Sequence, residues 1–163
     1  MTVCLSDCVR WALLRAIQIE YRNSALYDSL ADIFQGCEDS VIKVFQEMAA
    51  EERKHGTALK SGYRTRFGPV PLLTREPTET VKSTDLADME AVIFDSMTLE
   101  HALLAALRAE ESSRDFFRKE LLRTSDTELQ RIYRELAEFD EVHVRLLQET
   151  LAERRRAAGS MSR

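Results

Sequence analysis

With 163 residues, 44% of them hydrophobic, the chain is sized for a single domain burying ~70% of the surface that its unfolded form exposes. A net charge of −5 argues against a nucleic-acid partner, and no apolar run approaches the ~20 residues that a membrane-spanning helix needs. Asp7, Arg10 and Arg15 interrupt the N-terminal segment, unlike a secretory leader.

The first helix is expected from about Ser6 or Asp7 to Phe34, with Gly36 as its stop. Its stripe at intervals of three and four, Leu13, Ile17, Glu20, Ser24, Tyr27, Ala31 and Phe34, is mainly apolar and carries one acid. A second helix is expected from about Ser40 to Ser61, stopping at Gly62, with the stripe Val41, Phe45, Met48, Glu52, His55 and Leu59. The longest connection follows. It contains Gly68, Pro69, Pro71 and Pro77 and a short helix predicted over Asp85 to Phe94, whose outward Ile93 and Phe94 would cover a bundle face or meet another subunit.

The third helix is expected from near Ser96 or Thr98 to Arg123, with the stripe Leu103, Ala106, Glu110, Ser113, Phe117 and Leu121. Ser125 and Glu128 have capping-box spacing and open the fourth helix, whose stripe is Leu129, Tyr133, Leu136, Asp140, His143 and Leu147. Residues 154–163, with Arg154, Arg155 and Arg156, read as a frayed, solvated basic tail. Short links around Gly36 and Thr124 demand antiparallel neighbours, while the long crossover lets helices two and three run parallel. The expected architecture is all-α: one four-helix bundle spanning residues 1–163.

Two acid-x-x-His pairs stand out, Glu52 with His55 and Asp140 with His143. Residues three apart share a helix face with ~4.5 Å of rise between them, so a carboxylate oxygen and an imidazole nitrogen can reach one cation. The second pair repeats the first at a displacement of 88 residues, and Glu110 repeats Glu20 at 90, which points to internal duplication. Taken singly, Glu20 or Glu110 reads as a salt-bridged acid, and His55 or His143 as a hydrogen-bonded structural histidine. The matched registers favour metal. Four ionised carboxylates in a low-dielectric interior would cost several kcal/mol each, whereas two divalent cations balance their charge. His101 has Thr98 where the two pairs have an acid and keeps a structural reading.

The chain resembles the rubrerythrin branch of the ferritin-like superfamily. The resemblance rests on Ala16-Ile17-Gln18-Ile19-Glu20 with Tyr27, on Met48-Ala49-Ala50-Glu51-Glu52-Arg53-Lys54-His55, on Ala106-Leu107-Arg108-Ala109-Glu110 with Phe117, and on Ala137 to His143. It covers nearly the whole chain. Residues Gly62 to Gly68, running to Leu72 and Leu73, are similar to the rubrerythrin-like domain that some proteins fuse to an iron-transporting membrane domain. The resemblance implies a ferritin-like bundle holding two iron ions through Glu20, Glu52, His55, Glu110, Asp140 and His143. Glu20 and Glu110 would each cap a metal or bridge, and Glu52 and Asp140 would bridge. It further implies a homo-oligomer, a dimer being favoured, and Fe(II) oxidation by dioxygen or hydrogen peroxide.

The chain departs from the pattern in places. Asp140 stands where the family usually has Glu, Ser113 where rubrerythrins proper carry a further Glu, and His143 where they commonly have Glu. The ligand set is thus closer to a bacterioferritin centre, but no Met follows Glu52 to bind haem, so none is expected. Tyr27 reads as core, with a phenol that could also bond a ligand carboxylate or supply an electron. Glu51 and Glu111 are rotated ~100° from their neighbours, beside the ligands or on the surface. The residue before one half's metal acid is placed to support the other half's His, so Glu51 would orient His143 while Phe139 has nothing to offer His55.

Cys4, Cys8 and Cys37 form no C-x-x-C pair, so the chain carries no rubredoxin-type iron site and needs a separate electron donor; their odd number favours a reducing cytoplasm. Three function classes follow: a peroxidase- or ferroxidase-type oxidoreductase, an iron-handling or sensing domain, and a structural di-metal bundle. Manganese or a mixed pair would use similar ligands.

Overall fold

The computed structural model describes residues 5–71 and 98–160. Among them are four helices and no strand: α1 (Leu5–Ile33), α2 (Asp39–Phe67), α3 (Leu99–Arg123) and α4 (Thr127–Ser160). The expected short helix at Asp85 to Phe94 lies outside the described residues.

Each apolar stripe turns inward, with Leu121 only partly buried at the end of its stripe, and the stripes meet in two clusters. One joins Tyr27, Leu30 and Phe34 of α1 to Val41, Phe45 and Met48 of α2, Leu99 and Leu103 of α3, and Leu147 and Leu151 of α4. The other joins the start of α1 (Val9, Leu13, Ile17) to the ends of α2 (Leu59, Tyr63) and α3 (Phe117) and the start of α4 (Leu129, Tyr133). This distribution sets the directions. Helices α2 and α3 both run from the first cluster to the second, while α1 and α4 run back. Between the clusters lies a buried polar layer of Glu20, Asn23, Ser24, Glu52, Glu110, Ser113, Asp140 and His143.

Termini differ from expectation in three places. Helix α2 passes through Gly62 and ends only at Gly68, whose φ of 81° is a left-handed stop and whose N–H donates to Arg64 O at 3.0 Å. A mid-helix glycine costs about 1 kcal/mol relative to alanine. Here Tyr63, fully buried and accepting a 2.7 Å hydrogen bond from Arg10, and Phe67 beside it extend the apolar stripe and outweigh that cost. The cap of α4 is Asp126 rather than Ser125: one oxygen of its side chain accepts from the N–H groups of Glu128 and Leu129, each at 3.0 Å. Finally, α4 continues to Ser160, and Arg154 and Arg155 pair with Glu38 and Glu100 at 3.1 and 2.6 Å. These pairs tie Arg154 and Arg155 to the starts of α2 and α3.

Candidate metal centre

The polar layer gathers the six predicted residues from all four helices. Glu20, Glu52, Glu110, Asp140 and His143 are each 2% exposed or less, and the His55 side chain is 16% exposed. Helical spacing explains the convergence: the i, i+3 pairs on α2 and α4 face the single acids on α1 and α3. His143 Nδ1 lies 3.1 Å from Glu52 Oε1 and 3.3 Å from Glu110 Oε2. His55 Nδ1 lies 3.3 Å from Glu20 Oε2, though the two are not aligned as a hydrogen bond. Two donor sets result, each with its ligand atoms within 4.8 Å of one another: Glu20, Glu52 and His55, and Glu52, Glu110, Asp140 and His143.

Glu52 belongs to both sets and Asp140 to one. Asp140 is one methylene short, and its Oδ2 accepts a 2.7 Å hydrogen bond from Ser113 that holds it on the α3 side.

The surroundings of the acids are built for orientation. The Tyr27 phenol donates to Glu110 Oε1. Glu51 Oε2 sits 2.8 Å from His143 Nε2, leaving Nδ1 to face the acids. Ser113 Oγ also lies 3.2 Å from Glu110 O, a second acceptor for its single proton, and receives a 3.5 Å contact from Asn23 Nδ2. Asn23 escaped the sequence reading. Its signal was available, because it lies three residues after Glu20 and 90 before Ser113, so the two form a repeat-related pair that meets across the layer.

Burial governs the electrostatics. It raises Glu20 and Glu52 from 4.5 to about 7, against a lowering by Glu52 at Glu20 and by His143 at Glu52, while Glu110 adds to the first shift and Glu20 to the second. Asp140 is pushed from 3.8 to about 9 by burial and then by Glu110 and Glu20. Burial by itself would lower His143, yet its contacts with Glu110, Glu52 and Glu51 outweigh that and raise it to about 11. His55, lacking comparable partners, is lowered by burial. Without metal, then, protons offset the negative charge.

A metal fits this donor set on an independent ground. Both oxygens of Glu20, both of Glu52 and Nδ1 of His55 are buried without a hydrogen-bond partner. Orphaned buried acceptors are costly and uncommon, and here they point into one layer. Carboxylate and imidazole donors suit iron, manganese or zinc. If Glu51 fixes His143 for such an ion, Glu51→Ala is expected to weaken binding ~10-fold or more in a calorimetric titration. An affinity equal to wild type would remove Glu51 from that role.

Fold and site define the class: a ferritin-like four-helix bundle with a carboxylate–histidine layer able to hold metal. The chain belongs to the rubrerythrin family, whose model matches residues 12–151. No curated protein matches it. Among solved structures it is similar to an uncharacterized conserved protein from Magnetospirillum magnetotacticum MS-1, with a TM-score of 0.69 and 22% identity over 93% of this chain and 95% of that one. It is also similar to a hypothetical protein from Pyrococcus furiosus, with a TM-score of 0.63 and 23% identity over 88% of this chain and 87% of that one. These two support the fold alone. No helix among the described residues is long and apolar enough to cross a membrane.

Proposed function

We propose that this protein binds two iron ions and oxidises Fe(II) with hydrogen peroxide or dioxygen, as a peroxidase- or ferroxidase-type oxidoreductase. One observation carries the reading: two donor sets, one fully buried and one open only at His55, share Glu52. Glu20, Glu52 and His55 would hold one ion, and Glu52, Glu110, Asp140 and His143 the other. A pair of Fe(II) ions supplies the two electrons that, with two protons, convert hydrogen peroxide to two waters.

The protein's own groups do the rest. The apolar clusters on either side keep bulk water from the layer, which strengthens every charge interaction inside it. Tyr27 holds a proton against Glu110 Oε1, and Glu51 fixes the ring of His143. Electrons for further cycles come from a separate donor, in keeping with cysteines that form no C-x-x-C pair and with a reducing cytoplasm.

Rapid mixing of Fe(II)-loaded protein with oxidant is the test. A near-ultraviolet absorption burst limited to one turnover is expected, faster with peroxide than with dioxygen, and it should recur when a reductant is added. Oxidation no faster than that of free Fe(II) in the same buffer would remove the enzyme reading and leave a structural or iron-sensing bundle.

A further inference from the structure

The internal repeat relates Glu51 to Phe139 and His143 to His55, both at a displacement of 88 residues. The positions correspond, but the chemistry does not. Beside His143 the repeat places a carboxylate, with Glu51 Oε2 2.8 Å from Nε2. Beside His55 it places the Phe139 ring, 4.4 Å between centroids and tilted by 40°. A ring face or edge cannot accept an N–H bond as a carboxylate does, so packing alone orients the His55 imidazole. Among the described residues nothing accepts a hydrogen bond from its outer nitrogen, and its Nδ1 is also unaligned with Glu20.

Exposure follows the same division. His143 is 2% exposed, and its side chain is closed in by Glu51, Glu52 and Glu110. His55, at 16%, is the proposed ligand that reaches towards solvent, and the side chain lying over it, Phe139, is itself 48% exposed. Phe139 therefore covers the edge of the layer without being part of the core. Donor count points the same way: three residues surround the His55 position and four the His143 position, with Glu52 common to both.

We propose that the two metal positions differ in kind: the His143 position retains its ion, while the His55 position exchanges a divalent cation with solvent across the face covered by Phe139. This rests on the dinuclear reading and deepens it. The ion at His55 is then cargo, and the protein takes up Fe(II) and gives up iron at that face while the second ion stays in place.

Calorimetric titration of the metal-free full chain with Co(II) tests this. Two binding events differing ~10-fold or more in affinity are expected, since losing an outer partner to a metal-bound His has about that effect. His55→Ala should remove the weaker event and His143→Ala the stronger. Phe139→Glu restores a carboxylate at the repeat-related place and should strengthen the weaker event ~10-fold while leaving the stronger unchanged. Phe139 is half exposed, so neither this variant nor Phe139→Ala removes core packing, and circular dichroism will check that both fold. Phe139→Ala uncovers His55 without supplying an acceptor. It should speed release of one ion to a chelator, leaving the other as slow as in wild type. Two ions of equal affinity, or a weaker event indifferent to Phe139→Glu, would overturn the inference while leaving the dinuclear reading intact. Binding of no ion would overturn both.

Discussion

Exchanging Glu52 for glutamine is expected to abolish tight binding of both metal ions without unfolding the protein. Glu52 is the carboxylate common to the two donor sets, is fully buried, and has two oxygens without a hydrogen-bond partner. Glutamine keeps the shape but removes the charge, so each position loses an anionic donor at once. The loss at each should be on the order of 100-fold, the upper end of what removing even an outer partner causes. The fold should not suffer. Burial already raises Glu52 to about 7, so the ionised form is a burden on the metal-free protein near neutral pH, and a neutral amide of equal volume relieves it. Calorimetry should therefore show stoichiometry falling from two ions to none in Glu52→Gln, and thermal melts of the metal-free variant should match or exceed wild type. Two ions bound at wild-type affinity would show that Glu52 is not shared.

The bundle and its polar layer were legible because helical periodicity is a property of residue order alone. An apolar stripe broken by Glu20, or by Glu52 and His55, says which face turns inward. Repetition of the breaks at 88 and 90 residues says that they belong together. Local spacing does not say how far a side chain reaches across a bundle. Hence which donor groups Glu52 and Asp140 join was out of view, since that depends on side-chain reach and on a hydrogen bond from another helix. Asn23 could have been found through its repeat relation to Ser113, although their meeting spans two helices.

Helix ends were misread where tertiary contacts override local preference. Gly62 is a plausible stop until Tyr63 and Phe67 are seen to pack beyond it. Ser125 and Asp126 are both good caps, and in the folded chain it is Asp126 that accepts from the N–H groups of Glu128 and Leu129. The arginine-rich end looked unpartnered because Glu38 and Glu100 are distant in sequence.

The metal-free protein is expected to lose stability as pH rises, and metal to reverse that slope. Glu20 and Glu52 move from 4.5 to about 7 on folding and Asp140 from 3.8 to about 9, mainly through burial. A group whose pKa is raised in the fold binds its proton more tightly there than in the unfolded chain. Its contribution is complete below the unfolded value and disappears as pH climbs through the folded one. The carboxylates therefore withdraw stability between about pH 4.5 and about pH 9, and His143, raised from 6.5 to about 11, acts in the same direction above pH 6.5. His55 opposes them, because its lowered value makes protonation a burden that rising pH relieves. Glu20, Glu52, Glu110 and Asp140, with His143, outweigh His55 and leave the net slope negative. With ~1.4 kcal/mol per pKa unit, and strong coupling among the acids reducing the sum, the melting temperature should fall on the order of 10 °C from pH 5 to pH 9. Divalent cations displace the same protons, so their binding strengthens with pH, and at ~1,000 times Kd each adds ~4 kcal/mol. Scanning calorimetry across this range, with chelator and then with Mn(II), should give curves of opposite slope that separate most at high pH. A metal-free melting temperature that rises from pH 5 to pH 9, or a Mn(II) effect independent of pH, would mean that these buried acids are not the groups that bind the ions.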